Sequence, residues 1–249
     1  MYFQRFPFVN YNFGNNEADT IFPNISAYID IVDQLRDEAS FYEKYTILDG
    51  DRPDIVSQML YDTPDYHWTF FYMNAGLRES GWPLSEREVR ALVKKRYPHR
   101  TVTTQSNIAS NFLPGDFVIG KTSGTTGRVV ERNLDLGQIV IASDKNDAGL
   151  NNNFGQTEQI AAGTTAEEQN ANTATLISES VQYNSTLYYK NSSGDIVDID
   201  PYNQTTSGLV PTTTMEDNIN FNNKLKEIIV IKPSKIVSVV SEYFKLLKV

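Results

Sequence analysis

Residues 45–74 read YTILDGDRPDIVSQMLYDTPDYHWTFFYMN, and the order of signals in this stretch decides the fold of the N-terminal half. Residues 45–48 predict a short strand that ends in the Asp49-Gly50-Asp51 turn. Pro53 suits the first turn of a helix. Asp-Thr-Pro then breaks that helix, and a second helix is predicted from residue 64 to residue 73. The stretch therefore predicts a strand followed by two short helices.

The second of these helices carries a dense aromatic cluster, Tyr66, Trp68, Phe70, Phe71 and Tyr72. Helical spacing spreads the five rings over more than one face. Trp and Tyr are favoured at protein interfaces. Two interpretations stay open, a cluster that is only core and a cluster with one side in the core and one side facing a partner.

Aromatic residues also mark residues 1–20, which are predicted to form an extended arm because no helical or strand period is present. Phe3, Phe6 and Phe8 cannot bury themselves in such a segment, so the arm docks either on the body of the protein or on a partner. Residues 25–42 have one apolar stripe at helical spacing and predict a helix.

A capping box gives the clearest local signal. Ser85 is the predicted N-cap and Glu88 the third helical residue, and Pro98 stops the helix. The preceding Gly-Trp-Pro-Leu of residues 81–84 predicts a strand or turn.

After residue 100 the chain changes character. Strands are predicted at Asp116–Ile119, Arg128–Glu131 and Gln138–Ala142, separated by Gly- and Thr-rich turns. They predict a small antiparallel β-module. Residues 143–175 are rich in Asn, Gly, Thr and Ala and predict a linker or long loop.

The C-terminal region predicts a hairpin of Val181–Lys190 with Asp195–Ile199. An apolar run within Leu225–Ile231 predicts a buried strand, and Pro233 precedes a final amphipathic helix. The predicted fold class is α+β.

Composition excludes several classes of function. The chain has 249 residues, a net charge of −9 and no cysteine. The charge argues against nucleic-acid binding, and the lack of cysteine excludes disulfides and thiolate sites. No apolar run is long enough to span a bilayer, and the N-terminus lacks the pattern of a signal peptide.

One motif matches a phosphate-binding loop. Gly115–Thr122 reads GDFVIGKT and fits G-x-x-x-x-G-K-[ST]. That chemistry requires a helix that starts at the Lys, whereas Lys121 is followed by Thr-Ser-Gly-Thr-Thr-Gly, and Phe117–Ile119 favour a strand. A β-hairpin with a Gly-rich turn is the favoured interpretation, and a nucleotide site is the alternative.

Other candidate catalytic and metal-binding residues are weak. His67 and His99 share no metal-ligand spacing, and Asp195, Asp198 and Asp200 lack the order of a calcium loop. We predict no catalytic, cofactor-binding or metal-binding residue and no enzymatic activity.

The opening stretch resembles the baseplate wedge protein 53 family of T-even-type contractile-tailed bacteriophages, closest to cyanophage-type members. The match covers roughly residues 25–98 and, more weakly, 183–248, including NNKLKEIIVIKPSKIVSVVSEYFKLLK at 222–248. The shared features are Arg52-Pro53, Leu60-Tyr61, the aromatic block around Trp68, Asn74, Gly81-Trp82 and Ser85.

This resemblance implies a structural subunit of the inner baseplate wedge in the virion, assembled in the host cytoplasm. It implies contacts with other wedge subunits, a link between neighbouring wedges around the hub, and about six copies in each baseplate. No cofactor, nucleic acid or membrane is implied. The expected interface residues are Phe3, Phe6, Phe8, Tyr66, Trp68, Phe70, Tyr72, Trp82, Tyr243 and Phe244.

Residues 45–84 also resemble a LysM module, and LysM modules often bind peptidoglycan or chitin. A glycan-binding protein is therefore the alternative function. The expected domains are an arm at 1–20, a LysM-like strand-helix-helix-strand domain at 21–100, an inserted β-module at 101–142, a linker at 143–175, and a hairpin with the C-terminal strand and helix at 176–249.

Overall fold

The computed structural model describes residues 6–12, 14, 20–24, 40–143, 153–203 and 206–246. The chain divides into unit 1, Met1–Arg87 with Phe221–Val249, and unit 2, Glu88–Asn220. The described residues combine helices with antiparallel sheets, which confirms the α+β class.

The helices and strands follow one another along both units. In chain order they are β1 (Phe8–Tyr11), β2 (Thr20–Pro23), β3 (Tyr42–Thr46), α1 (Pro53–Tyr61), α2 (Trp68–Met73), α3 (Ala75–Ser80), α4 (Glu86–Arg96), β4 (Arg100–Thr104), β5 (Phe117–Gly120), β6 (Thr126–Asn133), β7 (Gln138–Ser143), β8 (Gln159–Ala162), α5 (Ala166–Ala171), β9 (Thr173–Val181), β10 (Thr186–Lys190), β11 (Ile196–Val197), β12 (Val210–Thr213), α6 (Thr214–Leu225), β13 (Glu227–Ile231) and α7 (Ile236–Leu246).

Unit 1 has its core between a two-stranded sheet and helices. β3 pairs antiparallel with β13, with Tyr45 opposite Ile228. Helix α1 has Pro53 in its first turn and ends where Asp62 takes a left-handed conformation, at a φ of 57°. Buried side chains of α1, α2, α7 and β13 form one apolar cluster. The C-terminal strand therefore completes the core that the N-terminal strand begins.

Several helices and strands predicted for unit 1 are present in the structure, but some of their bounds differ from the predicted ones. The two helices after the Gly-Asp turn are confirmed, with a short 3-10 turn at Pro64–Tyr66 leading into α2. The first strand begins at Tyr42, inside the range predicted as a helix, because residues 42–46 pair with β13. The remainder of that predicted helix, residues 25–39, lies outside the described residues. The segment 81–84, which was predicted as a strand or turn, forms no strand.

Unit 2 contains a closed barrel of six strands in the order β4-β7-β6-β5-β8-β9, and β9 pairs with β4 to close it. Every pairing is antiparallel. A closed barrel has no free strand edge. Arg100 and Glu179 form an ion pair across the β4–β9 seam. The interior is filled by apolar side chains, among them Val102, Val118, Ile139, Ile160 and Leu176.

The three strands predicted at residues 116–142 are confirmed as β5, β6 and β7. The structure differs from the predicted linker at 143–175. Residues 159–162 and 173–181 are the strands β8 and β9 that close the barrel, and α5 lies between them with a capping box at Thr165. Residues 144–152 lie outside the described residues.

The remaining sheet of unit 2 is three-stranded, in the order β11-β10-β12. The predicted hairpin is confirmed for β10 and β11, which turn at Asn191–Gly194. Its first strand starts at Thr186 and not at Val181, because Val181 ends a barrel strand. Helix α4 begins directly after Ser85 and ends two residues before Pro98, as predicted.

Candidate functional site

The aromatic cluster joins α2 to α7 within unit 1. The ring centroid of Trp68 lies 5.2 Å from that of Tyr243 and 5.8 Å from that of Phe244. The ring of Tyr72 meets Tyr243 edge-on at 5.2 Å. Offset and edge-on pairs of this kind add about 0.5–1.5 kcal/mol each beyond the apolar area that they bury.

Half of the ten residues predicted for an interface belong to the core. Tyr66, Trp68 and Trp82 are partly buried and pack against the same core. Phe8 is exposed, and Phe3 lies outside the described residues. Buried side chains cannot touch a partner directly, so a contact surface has to be sought on other residues. The buried members are Phe6, Phe70, Tyr72, Tyr243 and Phe244.

The Gly-Asp turn is held in place by three contacts. The carboxylate of Asp49 accepts a hydrogen bond from Lys226 Nζ at 2.9 Å and from the backbone N–H of Glu86 at 3.0 Å. These bonds, the one from Lys226 first, lower the pKa of Asp49. The indole Nε1–H of Trp82 donates to the carbonyl of Asp51 at 2.7 Å. Trp82 is thus a residue that fixes this turn.

Side chains from the helices close the outer edge of β13. The amide of Asn74 donates to the carbonyl of Ile229 at 2.8 Å and accepts from its N–H at 2.9 Å. The same Asn74 nitrogen donates to the carbonyl of Phe70 at 2.8 Å. The hydroxyl of Tyr61 donates to the carbonyl of Ile231 at 2.8 Å. Asn74 therefore takes the place of a neighbouring strand.

The opposite edge of the sheet, on β3, pairs with no further strand among the described residues. Lys44 lies opposite Ile229, whose N–H and C=O point away from β3 toward Asn74. In an antiparallel ladder such a pair is not hydrogen-bonded, so the N–H and C=O of Lys44 also point outward. Tyr42 and Thr46 share this orientation. Among the described residues, no hydrogen bond reaches these outward backbone groups. We call the outward-pointing N–H and C=O groups of the strand Tyr42–Thr46 the β3 edge.

β1 and β2 pair antiparallel, so residues 8–11 of the predicted extended arm form a strand, and this two-stranded ribbon is a second exposed surface of unit 1. All eight of its residues are exposed, with Phe8 at 69% and Ile21 at 64%. Phe8 and Val9 are successive residues and so point to opposite faces of the ribbon. A two-stranded ribbon is at best marginally stable alone in water. The ribbon therefore has apolar surface on both faces that a partner can cover.

The stretch that matches a phosphate-binding loop is part of the barrel. Residues 117–120 form β5, which pairs with β6 as a hairpin, and the residues after Lys121 form a turn and not a helix. The hairpin interpretation is therefore confirmed. The N–H groups of Thr122 and Ser123 donate to the carboxylate of Glu158, a residue that the sequence did not single out.

The histidines take part in local contacts. Nδ1 of His67 lies 2.8 Å from the carbonyl of Pro64, and the backbone N–H of His99 donates to the side chain of Gln182 at 3.2 Å. Within the described ranges no three His, Asp or Glu side chains come together as metal ligands. No helix in those ranges is long and apolar enough to cross a membrane.

Asn74 and Lys44 are the residues of interest that sequence reasoning missed. Asn74 was noted as the end of the aromatic stretch, but its partner on β13 lies 155 residues further along the chain. Residues of a strand alternate in orientation, so the direction of the N–H and C=O of Lys44 follows only once the pairing of β3 with β13 is known.

No protein-family model and no curated protein matches the sequence.

Tyr61 makes the stability of unit 1 sensitive to alkaline pH. Burial raises the pKa of Tyr61 above its ordinary value of 10.0. In the unfolded chain the phenol ionises near pH 10, whereas in the folded chain it stays protonated to higher pH. Its contribution is therefore fully present below about pH 10 and is lost as the pH rises above that value.

We expect Tyr61→Phe to reduce this alkaline loss and to cost about 1–2 kcal/mol at neutral pH, because the carbonyl of Ile231 loses its hydrogen bond. Urea titrations at neutral and alkaline pH, followed by tryptophan fluorescence, measure both effects. Equal alkaline losses in the two proteins would contradict this role of Tyr61.

Proposed function

We propose that this chain is a structural subunit of the baseplate wedge of a contractile phage tail. The observation that carries the proposal is the location of the two sequence segments that resemble the wedge family. Residues 42–80 and 222–246, which lie within those segments, fold into the single core of unit 1. The intervening residues 100–181 form a barrel of their own. This division supports a family core that carries an inserted domain.

The order of elements in unit 1 supports a LysM-like fold. Strand β3 is followed by α1 and α2, and β13 pairs antiparallel with β3. The resemblance at residues 45–84 places the second strand within that stretch, whereas the strand that pairs with β3 is β13 at Glu227–Ile231, and α3 follows α2. The proposed LysM-like fold therefore takes its second strand from the C-terminal region. In this proposal the barrel, residues 100–181, is the inserted part between the helices and the second strand.

The β3 edge is the surface that we assign to a wedge partner. Addition of a strand at an exposed sheet edge is a common mode of protein recognition, in which backbone hydrogen bonds supply affinity. The far edge of β13 is closed by Asn74 and Tyr61, so within the described ranges β3 is the edge at which this sheet can be extended. The partner segment would be an extended strand of another wedge subunit.

Lys44→Pro tests this assignment. Proline removes the outward N–H and blocks a new ladder, and we expect at least about a tenfold loss of affinity for the wedge subunits. The pairing with β13 is expected to survive, because the N–H of Lys44 points away from it. Co-expression with the inner wedge subunits of the same genome, followed by size-exclusion chromatography with mass detection, gives the readout.

Lys44→Ala is the matched control, since it removes the charge and keeps the N–H. We expect it to assemble like the wild-type protein. If both variants assemble normally, the partner does not use the β3 edge. If the wild-type protein itself forms no complex with wedge subunits, the proposed function is wrong.

A glycan-binding function is the second candidate, favoured by the Gly-Asp turn. Leu48 is 65% exposed beside this turn, and Oδ2 of Asp51 is buried without a hydrogen-bond partner among the described residues. The exposed side chain of Leu48 suits the apolar face of a sugar ring, whereas the buried Oδ2 of Asp51 does not face a ligand. Retention on insoluble peptidoglycan, lost in Leu48→Ala, would support this function, and absence of retention would exclude it.

A further inference from the structure

The turn between β5 and β6 encloses the carboxylate of Glu158. Oε2 accepts the backbone N–H of Thr122 at 3.1 Å and that of Ser123 at 2.9 Å. Oε1 accepts the hydroxyl of Ser123 at 2.9 Å and the backbone N–H of Gly155. Glu158 is only 6% exposed. Four donors from two separate loops thus surround one buried carboxylate.

This carboxylate is held without a cation. Within the part of the chain that the structure describes, no Lys or Arg forms an ion pair with Glu158. Successive backbone N–H groups that converge in a turn form an anion-binding concavity, the device that phosphate-binding loops use. The loop therefore has the chemistry of an anion receptor, and Glu158 is the anion.

Gly120 is the glycine that precedes Lys121 in the matching motif. A Cβ atom at this position would meet the hydroxyl oxygen of Ser123, which can rotate away, and would lie 2.8 Å from each of the two carboxylate oxygens of Glu158. The absence of a side chain lets the anion approach the backbone, which is the role of a glycine in a phosphate loop. Thr157, the residue before Glu158, has a φ of 66°, a strained value for a β-branched residue.

We propose that residues 120–125 form an anion receptor whose ligand is the chain's own Glu158 carboxylate. The resemblance of Gly115–Thr122 to a phosphate-binding loop reflects this internal use of backbone N–H groups. Removal of the Glu158 side chain vacates the receptor, which then binds a small carboxylate from solution. The proposal is independent of the proposed wedge function.

Chemical rescue tests the receptor. We expect Glu158→Ala to lower the Tm of unit 2 by roughly 5–10 °C, because several buried donors lose their acceptor. Sodium acetate should raise the Tm of this variant more than sodium chloride at equal ionic strength. Acetate also stabilises proteins in general, so the specific effect is the gain of acetate over chloride, which should be larger for this variant than for the wild-type protein. Calorimetry follows unit 2, since both tryptophans, Trp68 and Trp82, lie in unit 1.

Glu168→Ala is the matched control. Its carboxylate also accepts two backbone N–H groups, from Thr164 at 2.8 Å and Thr165 at 3.2 Å, but it is exposed. No enclosed cavity forms there, so acetate should give no specific rescue. Rescue of both variants would show a general effect of acetate and would overturn the proposal.

A double-mutant cycle with Gly120→Ala gives a second readout. In the wild-type background this substitution should lower the Tm, because the new Cβ collides with the carboxylate. In the Glu158→Ala background the same substitution should cost less. Equal costs in both backgrounds, or a Glu158→Ala protein as stable as wild type, would overturn the proposal. If Glu158→Ala does not fold, Glu158→Asp replaces it in the cycle, where Gly120→Ala should again cost less than in wild type because the shorter side chain withdraws the carboxylate from position 120.

Discussion

Replacing Phe70 by alanine is expected to lower the free energy of unfolding of unit 1 by about 3–5 kcal/mol. Phe70 is fully buried. Its ring centroid lies 5.9 Å from that of Tyr61 and 5.9 Å from that of Trp82. Alanine removes the apolar contacts of the ring and leaves a cavity that a close-packed core fills only in part.

Tryptophan fluorescence during urea unfolding measures this loss, since both tryptophans report on unit 1. Met59→Ala is the control, because Met59 is an exposed apolar residue of α1. We expect that substitution to change the stability by no more than about 0.5 kcal/mol. A loss below about 1 kcal/mol for Phe70→Ala would show that Phe70 does not anchor the core.

The same packing limits the use of Trp68→Ala as a test for an interface. Trp68 contacts Tyr243 and Phe244 of α7, so its removal disturbs the core as well as any surface. A loss of binding in that variant would have two explanations. Lys44→Pro changes only the outward side of β3, and it separates binding from folding more cleanly.

Asn74→Ala is expected to cost about 2–4 kcal/mol, because both backbone groups of Ile229 lose their partner. An unsatisfied buried donor or acceptor costs the full loss of its hydration, whereas a pair replaced by apolar groups costs little. The variant also gains an open strand edge on β13, and such edges promote association between molecules.

Asn223→Ala is the matched substitution, since Asn223 is exposed on α6 and unit 1 contains both positions. It should leave the stability within about 0.5 kcal/mol of wild type. Urea unfolding gives the stability of each protein, and light scattering gives its state of association. Equal stability of Asn74→Ala and Asn223→Ala would mean that the edge of β13 needs no cap.

The sequence predicted those helices and strands whose bounds are set by residues within them or directly next to them. Pro53 and the break at residues 62–64 gave α1, Ser85 and Pro98 bounded α4, and alternating apolar residues gave β5 to β7. The C-terminal strand and helix were also predicted, because their apolar pattern is strong. These elements depend on capping, turn chemistry and periodicity, which are local properties.

The closure of the barrel could not be predicted from local signals. β8 and β9 place the small residues Ala162 and Ala174 in the buried interior of the barrel. Strand prediction relies on large and β-branched side chains, so small residues between polar ones indicated a linker. The caps on β13 were missed for a different reason, since an asparagine shows no partner until distant strands are paired.

The pairing of β3 with β13 fixes the order in which the protein can mature during translation. Residues 100–181 contain every strand of the barrel and leave the ribosome before β13 does. The hydrophobic partner of β3 emerges only after residue 227, and α7 follows it. Nascent chains that stop early would carry a finished barrel beside an N-terminal region without its closing strand. Only chains synthesised through α7 can present a completed unit 1 to other proteins.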